Sequence, residues 1–256
     1  MISFENQLNR ESKFKFADYP VMSILQFPPD WGFGNRMLYY NNLIQLTNKH
    51  NQEWNCVEWK GHEYFFGDLL GDQSGTGVGL QPCLGEKFFE WNSISTRKVF
   101  ILKDRPFIES NTVAIHFRGT DFKWWNPDSI LDTDYYINAL EEIKDDISQA
   151  ILFTDDTSLS SFNAVKTYLE QEKIKYTLGE NSSDRNNYIS DFTKMAECDY
   201  IISSPSTFCI CAGFIGRQKK IIHSKKWLEN RIKVDDKFWV DLYNGGNEDY
   251  SIWRLV

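Results

Sequence analysis

From residue 111 onward the chain alternates short apolar runs with longer stretches whose apolar positions recur at helical spacing. Residues 113–117 are apolar except for His116 and read as a buried strand. Residues 134–147 place Tyr136, Ala139, Leu140, Ile143 and Ile147 on one helical stripe. The run 150–154 predicts a second strand, ending in Asp155-Asp156, and 159–171 a helix with Leu159, Phe162, Val165 and Leu169 on one face. A short strand at 175–178 and a helix at 188–196 follow. The pattern then predicts a strand at 200–203, a turn at 204–207, an apolar helix at 208–215 and a strand at 220–223. Repeated strand–helix units of this length imply a parallel, doubly wound sheet covered on both faces.

The first hundred residues contain one clear strand–loop–helix unit. Residues 21–27 are the strand, 28–34 a tight loop and 35–47 the helix, with a further strand at 54–59. Glycines are frequent from 67 to 85. Gly75-Thr76-Gly77-Val78-Gly79 neither follows a convincing strand nor opens a helix, so it is read as a loop and not as a dinucleotide fingerprint. A boundary at 103–109 divides the chain into two α/β lobes, residues 1–105 and a larger lobe of residues 106–256.

Composition narrows the functional classes. The 256 residues carry a net charge of −8, which argues against a general nucleic-acid binder, since that function needs a basic field to displace counterions. An anionic ligand must be met locally, by a few cationic groups and backbone amides. Cys56, Cys83, Cys198, Cys209 and Cys211 form an odd set without metal-ligand spacing and read as thiols in a reducing compartment. The Asn181-Ser182-Ser183 sequon is then coincidental. Residues 1–16 are polar and charged, and no stretch approaches the ~20 apolar residues of a membrane span. The expectation is a cytoplasmic protein, or a soluble domain cut from an anchored parent.

Four strand ends bring chemistry together. His116-Phe117-Arg118-Gly119-Thr120-Asp121 closes the first strand of the larger lobe, where an arginine offers a planar fork of donors to phosphate oxygens. An Arg–Asp surface pair is the alternative. Gly32-Phe33-Gly34-Asn35-Arg36 opens a helix, so its amides and glycines suit close approach to a ligand; the alternative is a plain turn with Asn35 as N-cap. Asp155 and Asp156 follow a strand, as ligand contacts or as a helix cap. Ser203-Ser204-Pro205-Ser206-Thr207-Phe208 joins hydroxyls to a helix N-terminus, a diphosphate site or a Ser/Thr capping box. Asp132-Thr133-Asp134 has the form of a metal-binding acidic pair but directly precedes a helix, where N-cap and first-turn roles explain it.

The order of these motifs resembles that of the fucosyltransferase superfamily. Gly32-Phe33-Gly34-Asn35-Arg36-Met37 looks like the glycine–asparagine loop of α-1,2-fucosyltransferases. His116-Phe117-Arg118 resembles the H-x-R motif shared with α-1,6- and protein O-fucosyltransferases. Phe153-Thr154-Asp155-Asp156 is similar to the second motif of the α-1,6 group, and Asp191 with Ser206-Thr207-Phe208 to the third. The resemblance spans about residues 30–225. It implies a GT-B-type fold of two facing Rossmann-like lobes, GDP-fucose as donor and no metal. Arg118 would contact the β-phosphate, Asp155 and Asp156 would lie in the donor site, and Asp191 would read guanine. Ser206, Thr207 and the Phe208 amide would hold phosphate oxygens. Gly32, Gly34, Asn35 and Arg36 would face the sugar and acceptor from the other lobe. Where α-1,2 and α-1,6 enzymes usually carry a second arginine, this chain has Gly119.

The sequence is thus read as that of an inverting glycosyltransferase acting on a glycan acceptor. Arg118 is expected to stabilise the leaving diphosphate, His116 to orient Arg118, and Asp121 or Asp30 to serve as base. Two other readings stand beside it: a non-catalytic carbohydrate- or nucleotide-binding protein on the same fold, and a transferase using another nucleotide-linked donor.

Overall fold

The computed structural model describes residues 21–27, 29, 31–70, 78–79, 99–180, 188–233 and 253–256. It is an α/β structure with two parallel sheets. In the first, β1 (Val21–Ile24) lies between β2 (Glu53–Cys56) and β3 (Val78–Gly79), and helix α1 (Phe33–His50) crosses from β1 to β2. The second sheet begins with β4 (Thr112–Phe117), followed by a one-turn helix α2 (Phe122–Trp125) and by α3 (Thr133–Ile143). Next come β5 (Gln149–Thr154), α4 (Ser160–Gln171), β6 (Lys175–Leu178) and α5 (Tyr188–Glu197). The series ends with β7 (Tyr200–Ile202), α6 (Thr207–Ile215), β8 (Lys220–His223), α7 (Lys225–Lys233) and β9 (Trp253–Leu255).

Strand order in the second sheet is β6-β5-β4-β7-β8-β9, every pair parallel. Counted within the sheet this is 3-2-1-4-5-6, the order of dinucleotide-binding folds. The winding direction reverses between β4 and β7. Helices that leave these two strands go to opposite faces, which opens a crevice at their carboxyl ends. All six residues of β4 are buried, as a central strand covered on both faces requires.

Two tyrosines of α3 hold the strand ends from beneath. The Tyr136 hydroxyl donates to His116 O at 3.1 Å, and the Tyr135 hydroxyl lies 2.7 Å from Ser203 O and 2.9 Å from Ile222 O. Helix α3 starts where it does because the Asp132 carboxylate accepts the Tyr135 amide at 3.0 Å, with Asp134 in the first turn. That amide, with Lys226 beside it, holds the Asp132 carboxyl below its usual range. Asp132-Thr133-Asp134 is therefore a helix start, and among the described residues no group of three metal-ligating side chains converges.

Helix α6 is apolar on every side: Cys209 to Ile215 are all buried. It packs against α1 and α5, and its contact with α1 joins the part of the chain built on the first sheet to the second. The approach is backbone on backbone. A Cβ placed on Gly34 would lie 2.5 Å from Thr207 C and Phe208 N and 2.7 Å from Thr207 O. Thr207 Oγ1 donates to Asn35 Oδ1 at 2.7 Å, and the Cys211 thiol points to Gly34 O at 3.6 Å. Around this contact Phe33 stacks on Phe65 and meets Trp59, Tyr188, Phe192 and Phe208.

The sequence pattern located these elements with local differences. The first strand stops at Ile24, with Leu25 and Gln26 exposed, and helix α1 starts at Phe33, two residues before the expected 35. Gly79, expected in a loop, pairs with Ser23 in β3, while 75–77 lie outside the described residues. The expected strand 54–59 is 53–56: the Val57 amide still donates to Ile24 O at 2.8 Å, and the pairing with β1 ends there. Elements α2, α7 and β9 were not anticipated. Two of them are four residues or shorter, and α7 carries polar residues at most positions.

Gly34→Ala is expected to destabilise the protein by about 1–3 kcal/mol, because the only way to seat the methyl is to move the backbone of α6. Urea unfolding measures this, and an unchanged midpoint would contradict the contact.

Candidate functional site

The carboxyl ends of β4 and β7 carry six of the expected site residues: His116, Arg118, Asp121, Ser206, Thr207 and Phe208. His116, one residue from the end of β4, is 7% exposed, and its Nδ1 lies 2.6 Å from the hydroxyl of Ser204, two residues past β7. This imidazole–hydroxyl pair spans the switch point. Beside it Ser203 Oγ lies 2.5 Å from His223 Nδ1, at the end of β8. Burial pushes His116 down to about 4, against a small upward pull from Asp155, and pushes His223 down to about 3. Both rings are neutral at pH 7. His116, expected to orient Arg118, has its Nδ1 on Ser204 and so ties the turn after β7 to the end of β4.

Arg118 follows β4 and is held by two carboxylates. Its Nη2 is 2.8 Å from Asp121 and its Nη1 2.8 Å from Asp155, while the guanidinium carbon sits 5.5 Å from the ring centre of Phe122. The side chain is one-third exposed, at the surface of the crevice rather than in the core. The alternative of an Arg–Asp pair is therefore real as geometry, and it leaves a charged fork fixed in place at the strand end. Asp155 also accepts the Gly119 amide at 2.7 Å and the Thr120 hydroxyl at 2.8 Å, so it shapes the loop after β4.

Asp156 does not cap α4. It accepts the Ser158 amide at 2.9 Å and pairs with Lys123, which ties the β5 and β4 loops together. The Lys123 ammonium and the Ser158 hydroxyl hold its carboxyl below the usual range. Gly119 stands where a second arginine was expected, and the structure explains the glycine. A Cβ there would meet Asp156 Cβ at 2.8 Å and Leu159 Cδ1 at 3.0 Å. The Asp156–Lys123 clasp occupies the space that a longer side chain would need.

Helix α6 begins at Thr207 with Ser206 as N-cap, and α1 begins at Phe33 with Gly32 as N-cap; neither cap makes a side-chain hydrogen bond. The alternative of a Ser/Thr capping box at 203–208 is thus not formed, and Asn35 sits inside the first turn as the acceptor for Thr207. Two helix N-termini with uncapped amides meet at Gly34–Phe208, beside the switch point. Backbone amides and helix dipoles favour an anion there. Arg36 lies in the same turn of α1, its Nε buried without a hydrogen-bond partner among the described residues. Gly34, expected to face a sugar, is instead pressed against α6.

Asp191 is in the first turn of α5 and only 7% exposed, not the exposed helical aspartate that the sequence also allowed. Its Oδ1 accepts the Glu180 amide at 2.7 Å, just past β6, and both carboxylate oxygens border Gly179. Asp30, Cys83 and 181–183 lie outside the described residues, and the four described cysteines are buried free thiols. No described helix is long and apolar enough to cross a membrane.

Sequence reasoning passed over His223 and Lys123, and it placed Ser204 in the hydroxyl turn without its partner His116. The doubled serine after one strand and the histidine closing the next were the available signals. Lys123 has none, because its partner Asp156 is distant in sequence. No protein-family model matches the chain, and a comparison with curated proteins finds no match.

The neutral histidines predict a pH dependence. Each folded pKa lies below the unfolded value of about 6.5, so the stability they contribute is full above pH 6.5 and falls as the pH drops through 6.5 toward 4. Between pH 7 and 5.5 the loss is roughly 1–1.5 kcal/mol per imidazole. Urea midpoints that stay flat over this interval would show that the rings are not held neutral.

Proposed function

We propose that the protein is an inverting glycosyltransferase that moves fucose from GDP-fucose to a glycan hydroxyl without a metal. One observation carries the reading: Arg118 and the uncapped start of α6 stand on the two strands that flank the switch point of a dinucleotide-type sheet. The order of the motifs in the sequence supports it, as does the α/β architecture with two parallel sheets. In this reading the two sheets are the two lobes of a GT-B fold, with the donor held by the larger one.

The chemistry is a single displacement. The acceptor oxygen attacks the anomeric carbon as the bond to the diphosphate oxygen breaks, and the acceptor proton passes to a base. Negative charge grows on the departing GDP. Arg118 faces that charge with the donors its two carboxylates leave over, and Ser206, Thr207 and the Phe208 amide hold phosphate oxygens. Asp155 and Asp121 fix the arginine before the donor arrives, so little reorganisation is needed in the transition state. Asp121, 48% exposed, is the described carboxylate available as base. His116 keeps the β7 turn in register with the end of β4, and as a neutral ring it adds no charge to compete with the arginine.

Guanine presents an N1–H and a 2-amino group side by side, and Asp191 is the carboxylate assigned to that edge. GDP should raise the melting temperature far more than ADP or UDP, with a discrimination of ~100-fold or more in affinity. Asp191→Asn retains an oxygen for the Glu180 amide, so the variant should fold yet lose most of the preference. Equal shifts for the three diphosphates would refute the donor assignment, and a variant that still prefers GDP would refute the role of Asp191.

Arg118→Ala should lower turnover of GDP-fucose by about 10²–10³-fold, as loss of one preorganised donor does elsewhere. Arg118→Lys should recover little, since an ammonium lacks the planar fork. Released GDP is the readout. Near-normal turnover in Arg118→Ala would remove the mechanism, and tight GDP binding with no turnover in the wild type would favour a non-catalytic binding protein.

A further inference from the structure

Trp124 is the least expected side chain near the site. It is 87% exposed, although tryptophan loses more than any other residue by staying in water. Its segment is not loose. Phe122 is buried under the Arg118 guanidinium, Asp121 pairs with Arg118, and Lys123 pairs with Asp156. The turn is closed by hydrogen bonds from Lys123 N to Gly119 O, Trp124 N to Asp121 O and Asn126 N to Phe122 O. The residues that precede Trp124 in this turn are tied to the body of the protein, while the indole is exposed to solvent.

Its place in the fold selects it from the other exposed aromatics. Phe107 is 90% exposed but precedes β4, at the amino-terminal edge of the sheet. Trp124 follows β4, at the carboxyl edge, six residues after Arg118. Thr120, Asp121 and Asp128, near it in sequence, are exposed and polar. A flat exposed indole beside the Arg118 end of β4 matches a pyranose, whose C–H face stacks on an indole. The acids nearby disfavour an anionic sugar.

We propose that Trp124 is the platform on which a pyranose of the acceptor glycan stacks. The proposal rests on the glycosyltransferase reading for the word acceptor, and its test does not need turnover. Because the turn is already fixed, stacking orders little of the protein on binding.

The experiment is saturation-transfer NMR and calorimetry on the full chain without donor, using lactose, N-acetyllactosamine, cellotriose and chitotriose as probes. At least one should bind the wild type through the C–H protons of a single ring. Trp124→Ala should weaken it at least tenfold, Trp124→Phe should retain part of the affinity, and the melting shift given by GDP should stay the same in both variants. Absence of binding by all four sugars, or equal binding by Trp124→Ala, overturns the proposal. So does a concentration-dependent dimer that Trp124→Ala abolishes, which would assign the indole to a second copy of the chain. Failure of GDP-fucose turnover with sugar binding intact would instead strike the donor reading and leave the platform in place.

Discussion

Everything at the crevice depends on one close approach, the backbone of Gly34 against that of Thr207 and Phe208. Two helices from different sheets start at the same point, and their starts lie side by side because one of the residues in contact has no side chain. The Thr207–Asn35 hydrogen bond and the ring cluster around Phe33 then lock the angle between them. Without that contact the α6 amides would still end β7's turn, but nothing from the first hundred residues would reach them.

The second constraint is electrostatic. A chain of net charge −8 that met an anionic ligand would need cationic groups it can hold rigidly. It holds Arg118 by surrounding it with acids, and holds the loops that carry those acids through Lys123 and the Gly119 amide. The missing second arginine belongs to this arrangement. Its space is filled by the Asp156 side chain, so the loop is stiffened by a local clasp where the family that the sequence resembles usually places a second charge. The buried histidines serve geometry in the same way: each ring takes one serine hydroxyl and stays neutral among strand ends that are almost dry.

How far the sequence made this legible varied with the range of the interaction. Strands β4, β5 and β7 and helices α3 to α6 could be read because their burial follows from local apolar spacing, and the parallel order follows from the repeated units. Asp132 as a helix start was also legible, since a cap acts within one turn. The partners of the site residues were not. Nothing in the spacing of His116 indicates Ser204, and Asn35, read as part of a ligand loop or else as a cap, gives its carboxamide oxygen to Thr207, far along the chain. Asp191 offered a local alternative, an exposed helical acid, and the loop after β6 buries it instead. Gly119 shows the limit from the other side: its identity was plain, and its reason lay in Leu159 and Asp156.

From Cys209 to Ile215 helix α6 is buried on every side, packed against α1 and α5. Most helices of a globular protein keep a wet stripe on which residues can drift with little effect, and that stripe is where a lineage accumulates harmless change. From Cys209 to Ile215 this helix has none. A larger side chain meets a neighbour whichever way it points, and a smaller one leaves a hole. Variation there requires paired change in the sheet or in α1, which makes these seven residues a slow clock for the whole molecule.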